Sequence, residues 1–228
     1  MADSQRLRTT PAGLRLVSEV AGELARRSDG ETNVLEVTTY FPVDVDSVAR
    51  VFEGIEEIEG VELVERGSLT VYEVDDGARF GSGGPNIDDE AFIDEATGLL
   101  KAVGTLKRDK EWVRKVKGQH KILRIVAESD EPIVELSYLT SRAQMPRARV
   151  LSLLNDFDAQ GYAAVEVDED VDELRYHFPK FDYPEERFDH NMRLLETVEP
   201  PARSRFSLWM FLAVFAVVLL VVVILLRF

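Results

Sequence analysis

Cysteine is absent from this chain of 228 residues, and histidine and tryptophan occur only three and two times. Without cysteine the protein forms no disulfide and has no thiolate to serve as a nucleophile or a zinc ligand. None of the histidines (His120, His177, His190) stands in a ligand spacing such as H-E-x-x-H, and no G-x-S-x-G occurs. The sequence therefore predicts a protein that is not an enzyme and implies no metal or cofactor.

Lysine is also scarce, and the formal charge is −15. This acid-rich, lysine-poor and cysteine-free composition resembles that of proteins from organisms that keep molar salt in the cytosol. In about 1 M salt the Debye length is only about 3 Å, so long-range electrostatic steering is weak. The acidic surface by itself therefore indicates no particular partner.

The few basic residues are concentrated in one segment. Residues 101–124 carry nine bases against two acids, whereas residues 31–100 carry 18 acids against three bases. Three interpretations stay open: a solvated helix face, a nucleic-acid contact, or a contact with anionic lipid in which Trp112 enters the headgroup zone. The candidate nucleic-acid or lipid contacts in this segment are Lys107, Arg108, Lys110, Arg114, Lys115 and Lys117.

A long apolar run stands near the C-terminal end of the sequence. From Phe206 to Leu226 there are 21 residues with one hydroxyl and no charge. At about 1.5 Å per residue this is roughly 30 Å of helix, the thickness of the hydrocarbon core of a bilayer. Trp209 stands where an interfacial aromatic residue is expected. We predict a single membrane-spanning helix over 206–226.

The sidedness of this span follows from its flanks. Arg203 and Arg205 precede it and Arg227 follows it, so the positive-inside bias favours a cytoplasmic location for the preceding chain. The first twenty residues have no apolar core and no cleavage site of the kind found in signal peptides. We therefore expect a single-pass protein of the cell membrane with its head in the cytoplasm.

The first third of the sequence predicts a small α+β unit. A helix begins near Pro11 and ends at Ser28–Gly30, and the β-branched run Val34–Tyr40 predicts a strand. Asp44 or Asp46 caps a second helix that ends at Gly60. A hairpin follows, with its turn at Gly67-Ser68, which gives the order α-β-α-β-β.

A glycine-rich segment, Asp75–Pro85, follows this unit. It lacks the Lys-Ser/Thr of a phosphate-binding loop and the spacing of a dinucleotide fingerprint, so we interpret it as a flexible connection. Ile87–Val103 then predicts a helix with acidic residues in its first turn.

Residues 119–178 predict three helices and a hairpin. The helices are Gln119–Glu128, Val134–Ala143 and Arg147–Phe157, and the strands are Ala163–Val167 and Leu174–Phe178. With a tight turn at Met145-Pro146 between the second and third helix, this pattern resembles a winged helix-turn-helix domain. Further on, Phe188, Met192 and Leu195 have the spacing of a short amphipathic helix that docks on the head.

The resemblance implies that the third helix enters a DNA major groove. Its implied contacts are Arg147 and Arg149, with Ser141, Arg142 and Gln144 at the preceding turn. The predicted hairpin departs from the pattern, because its tip, residues 168–173, reads DEDVDE and would be repelled by phosphate. Winged-helix folds also serve as protein-interaction modules. The segments Val48–Val64 and Ala148–Val165 share an order of helix, glycine and strand, which leaves two related units open.

We therefore expect an α+β fold followed by one membrane helix, in a membrane-anchored adaptor or regulatory protein with a protein partner. The alternative is a membrane-tethered winged-helix transcription regulator. No small-molecule substrate is inferred, and the partner, the signal and the oligomeric state stay open. The expected divisions are a small α+β unit over 1–76, a glycine-rich link and basic helical connector over 77–118, the winged-helix-like domain over 119–178, a proline-containing linker over 179–205 and the anchor over 206–226.

Overall fold

The computed structural model describes residues 11–55, 60–66, 69–74, 110–129, 131–168 and 173–198, with positions 87, 89, 91, 92, 94, 95 and 98. These residues form seven helices and two three-stranded antiparallel sheets, which confirms the mixed α+β class. They all belong to one compact unit that ends at Val198, which we call the head. The predicted anchor, with Phe206, Trp209 and Leu226, lies outside the described residues, as do the whole glycine-rich segment Asp75–Pro85 and most of the helix predicted over Ile87–Val103. Among the described residues no helix is long and apolar enough to cross a membrane.

The structure describes six elements up to Val74, in the N-terminal half of the head. They are α1 (Pro11–Arg27), β1 (Glu31–Thr32), α2 (Val34–Thr39), α3 (Val45–Ile55), β2 (Val61–Arg66) and β3 (Leu69–Val74). The predicted first helix and the hairpin are confirmed, and α1 ends in a turn where Asp29 and Gly30 have positive φ. The carbonyl of Gly30 accepts a hydrogen bond from the backbone N–H of Val74 at 2.8 Å, which joins this turn to β3.

The strand predicted over Val34–Tyr40 is wrong, because these residues form the short helix α2 and its C-cap. Asn33 caps the helix: its Oδ1 accepts a hydrogen bond from the backbone N–H of Glu36 at 2.9 Å. The hydroxyl of Thr38 donates to the carbonyl four residues earlier at 2.7 Å. All six residues of α2 are buried. Packing on every side therefore outweighs the modest preference of β-branched residues for strands.

Helix α3 begins where the sequence predicts. The carboxylate of Asp44 accepts hydrogen bonds from the backbone N–H and the hydroxyl of Ser47, at 3.1 and 2.8 Å. Of the two predicted capping residues, Asp44 and Asp46, it is thus Asp44 that accepts a hydrogen bond from the first turn of α3. Val48, Val51 and Phe52 form its buried stripe.

The C-terminal half contains seven elements. They are α4 (Lys110–Ala127), β4 (Ile133–Glu135), α5 (Leu136–Ala143), α6 (Arg147–Asp158), β5 (Ala164–Asp168), β6 (Glu173–His177) and α7 (Glu185–Val198). Two predicted helix starts are corrected. Helix α4 begins nine residues before Gln119 and runs without a break across the predicted boundary at 118/119. The next helix begins at Leu136 rather than Val134, because Ile133–Glu135 pairs with β6 as an edge strand.

The first six described elements of each half have the same order, and the two sheets have the same topology. The order is helix, strand, helix, helix, strand, strand, and the last strand lies in the centre of its sheet, in the orders β1-β3-β2 and β4-β6-β5. The second and third helices of each half are joined by a short turn, and at the second of these turns Gln144 has a φ of 52°. The sequence left open whether the two halves repeat one unit. The backbone shows that they repeat the same order of elements and strands.

The two halves share one hydrophobic core. Buried side chains of α1, α2 and α3 form a continuous cluster with those of α4, α5 and α6. The N–H of Thr70 on β3 donates to the carbonyl of Gly161, beyond α6, at 3.0 Å. Gly118 allows α4 and α6 to approach closely, since a Cβ at this position would lie 2.8 Å from Cδ1 of Leu153.

Helix α7 packs on the head as the spacing of Phe188, Met192 and Leu195 predicts. Leu195 is buried against Val113 and Val116 of α4, and Met192 packs on the same cluster. Nδ2 of Asn191 donates to the carbonyl of Thr39 on α2 at 2.8 Å. Helix α7 thereby contacts both halves.

Candidate functional site

One face of α4 is a basic stripe, and it carries three of the eight predicted contacts, Lys110, Arg114 and Lys117. Five basic residues follow one another at intervals of three or four, which places them on one side of the helix. Three of them are exposed and two are half-buried, and the opposite side of α4 is buried in the core. We call this set the basic stripe: Lys110, Arg114, Lys117, Lys121 and Arg124.

The residues of the stripe differ in how far their charge is already paired. Arg124 donates to Glu128 at 2.6 Å and to Glu185 at 2.9 Å, and its guanidinium lies 4.6 Å from the ring centroid of Phe188. The hydrogen bond to Glu128 raises the pKa of Arg124. Lys110, Arg114 and Lys121, in contrast, have no acidic partner among the residues that the structure describes. These three residues carry the charge that is available to an anionic ligand.

Lys115, a predicted contact, lies on a different face of α4. Its Nζ is 2.8 Å from Oδ2 of Asp46 at the start of α3 and 3.5 Å from Oδ2 of Asp156 near the end of α6. Gln160 also donates to Asp46, at 2.7 Å. Burial acts to raise the pKa of Asp46, but the hydrogen bonds from Lys115 and Gln160 outweigh it and leave the pKa below its ordinary value. Lys115 thus joins three helices inside the head.

Trp112 is also engaged within the head. Its indole N–H donates to Oδ2 of Asp44 at 2.8 Å, and the ring packs beside Val113 and Val116. The hypothesis that Trp112 enters a lipid headgroup zone conflicts with this arrangement, because the indole is half-buried and its donor is paired. Lys107 and Arg108 lie outside the described residues.

The arginines implied by the winged-helix resemblance lie at the start of α6. Arg147 is exposed, with its guanidinium 3.9 Å from Glu173, whereas Arg149 is half-buried and its Nε lacks a hydrogen-bond partner in the described part of the chain. Exposed Ser141, Arg142 and Gln144 precede them, and Arg142 lies 3.6 Å from Glu128. The structure therefore brings the predicted turn residues and Arg147 together on one surface.

A groove connects this surface to the basic stripe. It has a volume of about 310 Å³ and is lined by Lys121 and Arg124 of the stripe and by Arg142. Ile125, Ala143 and Phe188 contribute apolar surface to the same groove. No local pattern in the sequence predicts this groove, because its walls come from α4, α5 and α7.

The three histidines do not form a ligand set. His120 is fully buried: its Nε2–H donates to the carbonyl of Val43 at 3.0 Å, and its Nδ1 accepts from the hydroxyl of Tyr183. Burial lowers the pKa of His120 to about 4, so the ring is neutral at pH 7. His177 pairs with exposed Glu166 at 2.7 Å. Among the described residues no group of three histidine or acidic side chains is arranged to hold a metal.

Sequence reasoning did not identify the polar cluster around His120. It joins α4 to Tyr183 and Asn191, and Nδ2 of Asn191 lies 3.4 Å from the hydroxyl of Tyr183. The partners are more than 60 positions apart from His120, so no local pattern connects them. The one signal was the polar pair Gln119-His120 within the apolar stripe of α4, which indicates buried polar contacts. No protein-family model matches this chain, and no curated protein is significantly similar to it.

Proposed function

We propose that this chain is a membrane-anchored adaptor or regulatory protein without catalytic activity. Residues 206–226 would be its single membrane span, and the head would face the cytoplasm and bind an acidic protein partner. The observation that supports this binding role is the basic stripe on α4. It concentrates positive charge on one helix face of a chain whose formal charge is −15, and three of its residues, Lys110, Arg114 and Lys121, have no acidic partner in the described part of the chain.

The groove beside the stripe favours a protein as the partner. Charge alone contributes little to binding in concentrated salt, because screening is strong and counterion release gains little. Burial of apolar surface is not weakened in this way. A segment that places an apolar side chain against Ile125, Ala143 and Phe188, and a carboxylate against Lys121 or Arg142, would use both kinds of contact.

A pull-down from membranes tests the adaptor function. Full-length protein with the triple change Lys110→Glu, Arg114→Glu and Lys121→Glu should lose its partner, because three exposed charges are reversed. The matched control is Arg26→Glu with Arg193→Glu, two exposed arginines on α1 and α7. Retention of the same partner by the triple variant would contradict the proposal.

The second candidate is a membrane-tethered transcription regulator. It is supported by the repeated helix, strand, helix, helix, strand, strand order, which is that of a winged helix-turn-helix domain. It is also supported by exposed Arg142 and Gln144 at the end of α5 and exposed Arg147 at the start of α6. The equivalent helix of the N-terminal half, α3, offers less: Asp44 and Ser47 at its start are buried. Only the C-terminal half would therefore contact DNA.

Gel-shift titration of the head at two salt concentrations separates the candidates. A regulator gives a complex that weakens with salt, by a log–log slope of about −0.9 per phosphate contact. Arg147→Ala with Arg149→Ala should then abolish the complex. The absence of any complex at low salt removes this candidate and leaves the adaptor function.

The anchor is tested by fractionation. The full chain should sediment with membranes after cell lysis and require detergent for release, and a chain ending at Val198 should remain in the supernatant. Protease added outside intact spheroplasts should leave the head uncut. Recovery of the full chain in the supernatant would contradict the anchor, and digestion of the head would contradict its cytoplasmic location.

A further inference from the structure

A cavity of about 460 Å³ lies in the head, away from the basic stripe. One wall is the N-terminal half, from the turn after α1 to the start of α2 and the outer face of β3. The other wall is the segment Pro179–Asp182, which follows β6. Its volume falls in the range of small-molecule sites, roughly 300–1,000 Å³.

Glu36 lines this cavity, and the residue is only 5% exposed. Its Oε2 accepts a hydrogen bond from the hydroxyl of Thr32 at 3.2 Å. Its Oε1 has no hydrogen-bond partner among the described residues and is not fully buried, so a ligand can reach it. A largely buried carboxylate that accepts one long hydrogen bond is costly to ionise unless it is paired.

The titration of Glu36 reflects this environment. Burial raises the pKa of Glu36 to about 7, the Thr32 hydrogen bond opposes this, Asp182 adds to it, and Arg27 opposes it. The charged residues around the cavity come from three segments. They are Arg27 at the end of α1, Asp29 and Glu31 beyond it, and Lys180 and Asp182 across the cavity.

The remaining lining has a mixed character. Three further acidic residues, Asp29, Glu31 and Asp182, outnumber the two basic residues, Lys180 and Arg27, so the surroundings of the cavity are negative even before Glu36 ionises. Leu69, Val71 and Phe181 contribute apolar walls. A ligand that fits this lining carries a positive charge to meet Glu36 and an apolar body to cover these walls.

We propose that this cavity binds a small organic cation, a protonated amine attached to an apolar group, with Glu36 as its counter-ion. The ammonium would donate to Oε1, the carboxylate oxygen that lacks a partner. A charge-assisted hydrogen bond of this kind is roughly twice as strong as a neutral one. This site is separate from the basic stripe and does not depend on the proposed function.

Isothermal titration calorimetry of the full chain in nanodiscs tests the proposal, with benzylamine as the probe and empty nanodiscs subtracted. Measurement in about 2 M KCl suppresses general attraction of cations to the acidic surface. Benzylamine should bind at pH 8 with a dissociation constant on the order of 1 mM or below. Its neutral analogue, benzyl alcohol, should bind at least about tenfold more weakly, since it cannot pair with the carboxylate.

Dependence on pH gives a second readout. Because the ligand pairs with ionised Glu36, affinity should fall about tenfold from pH 8 to pH 6. Glu36→Gln keeps the shape of the side chain and the oxygen that accepts from Thr32. It should weaken the binding of benzylamine at least about tenfold and remove the pH dependence of that binding. Glu62→Gln, at an exposed position of β2 and outside the cavity, should leave the affinity for benzylamine and its pH dependence unchanged.

A second pair of variants keeps Glu36 intact. Leu69→Trp would fill the cavity from β3 and should abolish binding, whereas Leu63→Trp, on β2 and 43% exposed, should not. Thermal melts followed by circular dichroism show that each variant is folded. Absence of binding at pH 8, equal binding of benzyl alcohol, or unchanged affinity in Glu36→Gln would each overturn the proposal.

Discussion

At the scale of single residues, two of the buried ionisable groups in the described part of the head, Glu36 and His120, have opposing effects on stability. Glu36 has its pKa raised by burial to about 7, and His120 has its pKa lowered by burial to about 4. Each group favours its neutral form in the folded protein. Acidification therefore raises the free energy of unfolding through Glu36 and lowers it through His120. The whole protein shows only the difference between these two effects.

Glu36→Gln isolates the first effect. The folded-state pKa lies above the unfolded value of 4.5, so the stability that Glu36 contributes is present in acid and is lost as pH rises through 7. The variant should be more stable than the parent at pH 8, by up to about 3 kcal/mol, and the difference should vanish near pH 4. Urea unfolding of the head at several pH values measures this. Glu53→Gln, at an exposed position on α3 and outside the cavity, should show no such pH-dependent gain. A constant difference in Glu36→Gln would contradict the assignment.

His120→Gln isolates the second effect. The folded pKa of about 4 lies below the unfolded value of 6.5, so the stability associated with neutral His120 is present above pH 6.5 and declines as pH falls toward 4. At pH 7 the variant should lose about 1–3 kcal/mol, because buried hydrogen-bond partners are left unpaired. This penalty should shrink by roughly 2 kcal/mol at pH 5, where the parent itself is weakened. His177→Gln, at the pair with exposed Glu166, is the control and should change stability little.

At the scale of secondary-structure elements, helices α1, α3 and α6 and both hairpins follow from local signals. A proline in the first turn, a capping carboxylate and apolar residues at helical spacing are sufficient for these elements. Helix α2 does not follow, because Thr38 and Thr39 with their β-branched neighbours favour strand locally. The start of α4 was also missed, since exposed Lys110 and Arg114 lie on its solvent side and weaken the apolar pattern.

The cap of α2 provides a test at this scale. Asn33 is 5% exposed, and its Oδ1 accepts a hydrogen bond from the N–H of Glu36. Asn33→Ala should destabilise the head by about 1–2 kcal/mol, whereas Asn33→Ser should retain most of the stability, because serine also caps helices. Urea unfolding at pH 7 measures both. If Asn33→Ala and Asn33→Ser lower the free energy of unfolding by the same amount, the side-chain cap does not stabilise α2.

At the scale of the whole molecule, the acidic composition affects how the sheets hold together. Glu31, Glu73 and Glu62 occupy directly opposite positions on three adjacent strands of the N-terminal sheet. Like charges in this arrangement repel one another, and the net charge of −15 adds to this repulsion. Salt screens both effects.

We therefore expect the melting temperature of the head to rise with KCl. Between about 0.1 and 2 M the Debye length falls from about 10 Å to below 3 Å, so repulsion between exposed carboxylates is largely removed. Glu62→Gln should reduce the slope of melting temperature against salt. Differential scanning calorimetry of the parent and the variant measures it. A melting temperature independent of KCl would contradict the view that acidic repulsion limits stability.

The sequence by itself determined the mixed α+β class, most element types and the concentration of basic charge, because these depend on spacing and composition along the chain. It also predicts the membrane span, which lies outside the described residues. Only the tertiary structure decided that the halves repeat one topology and share a core, that Lys115 is paired with Asp46 while Lys121 is not, and that Glu36 lines a cavity. These outcomes depend on contacts between segments that are far apart in the sequence. Such contacts determine which charges are paired and which side chains are buried, and local conformational preference does not.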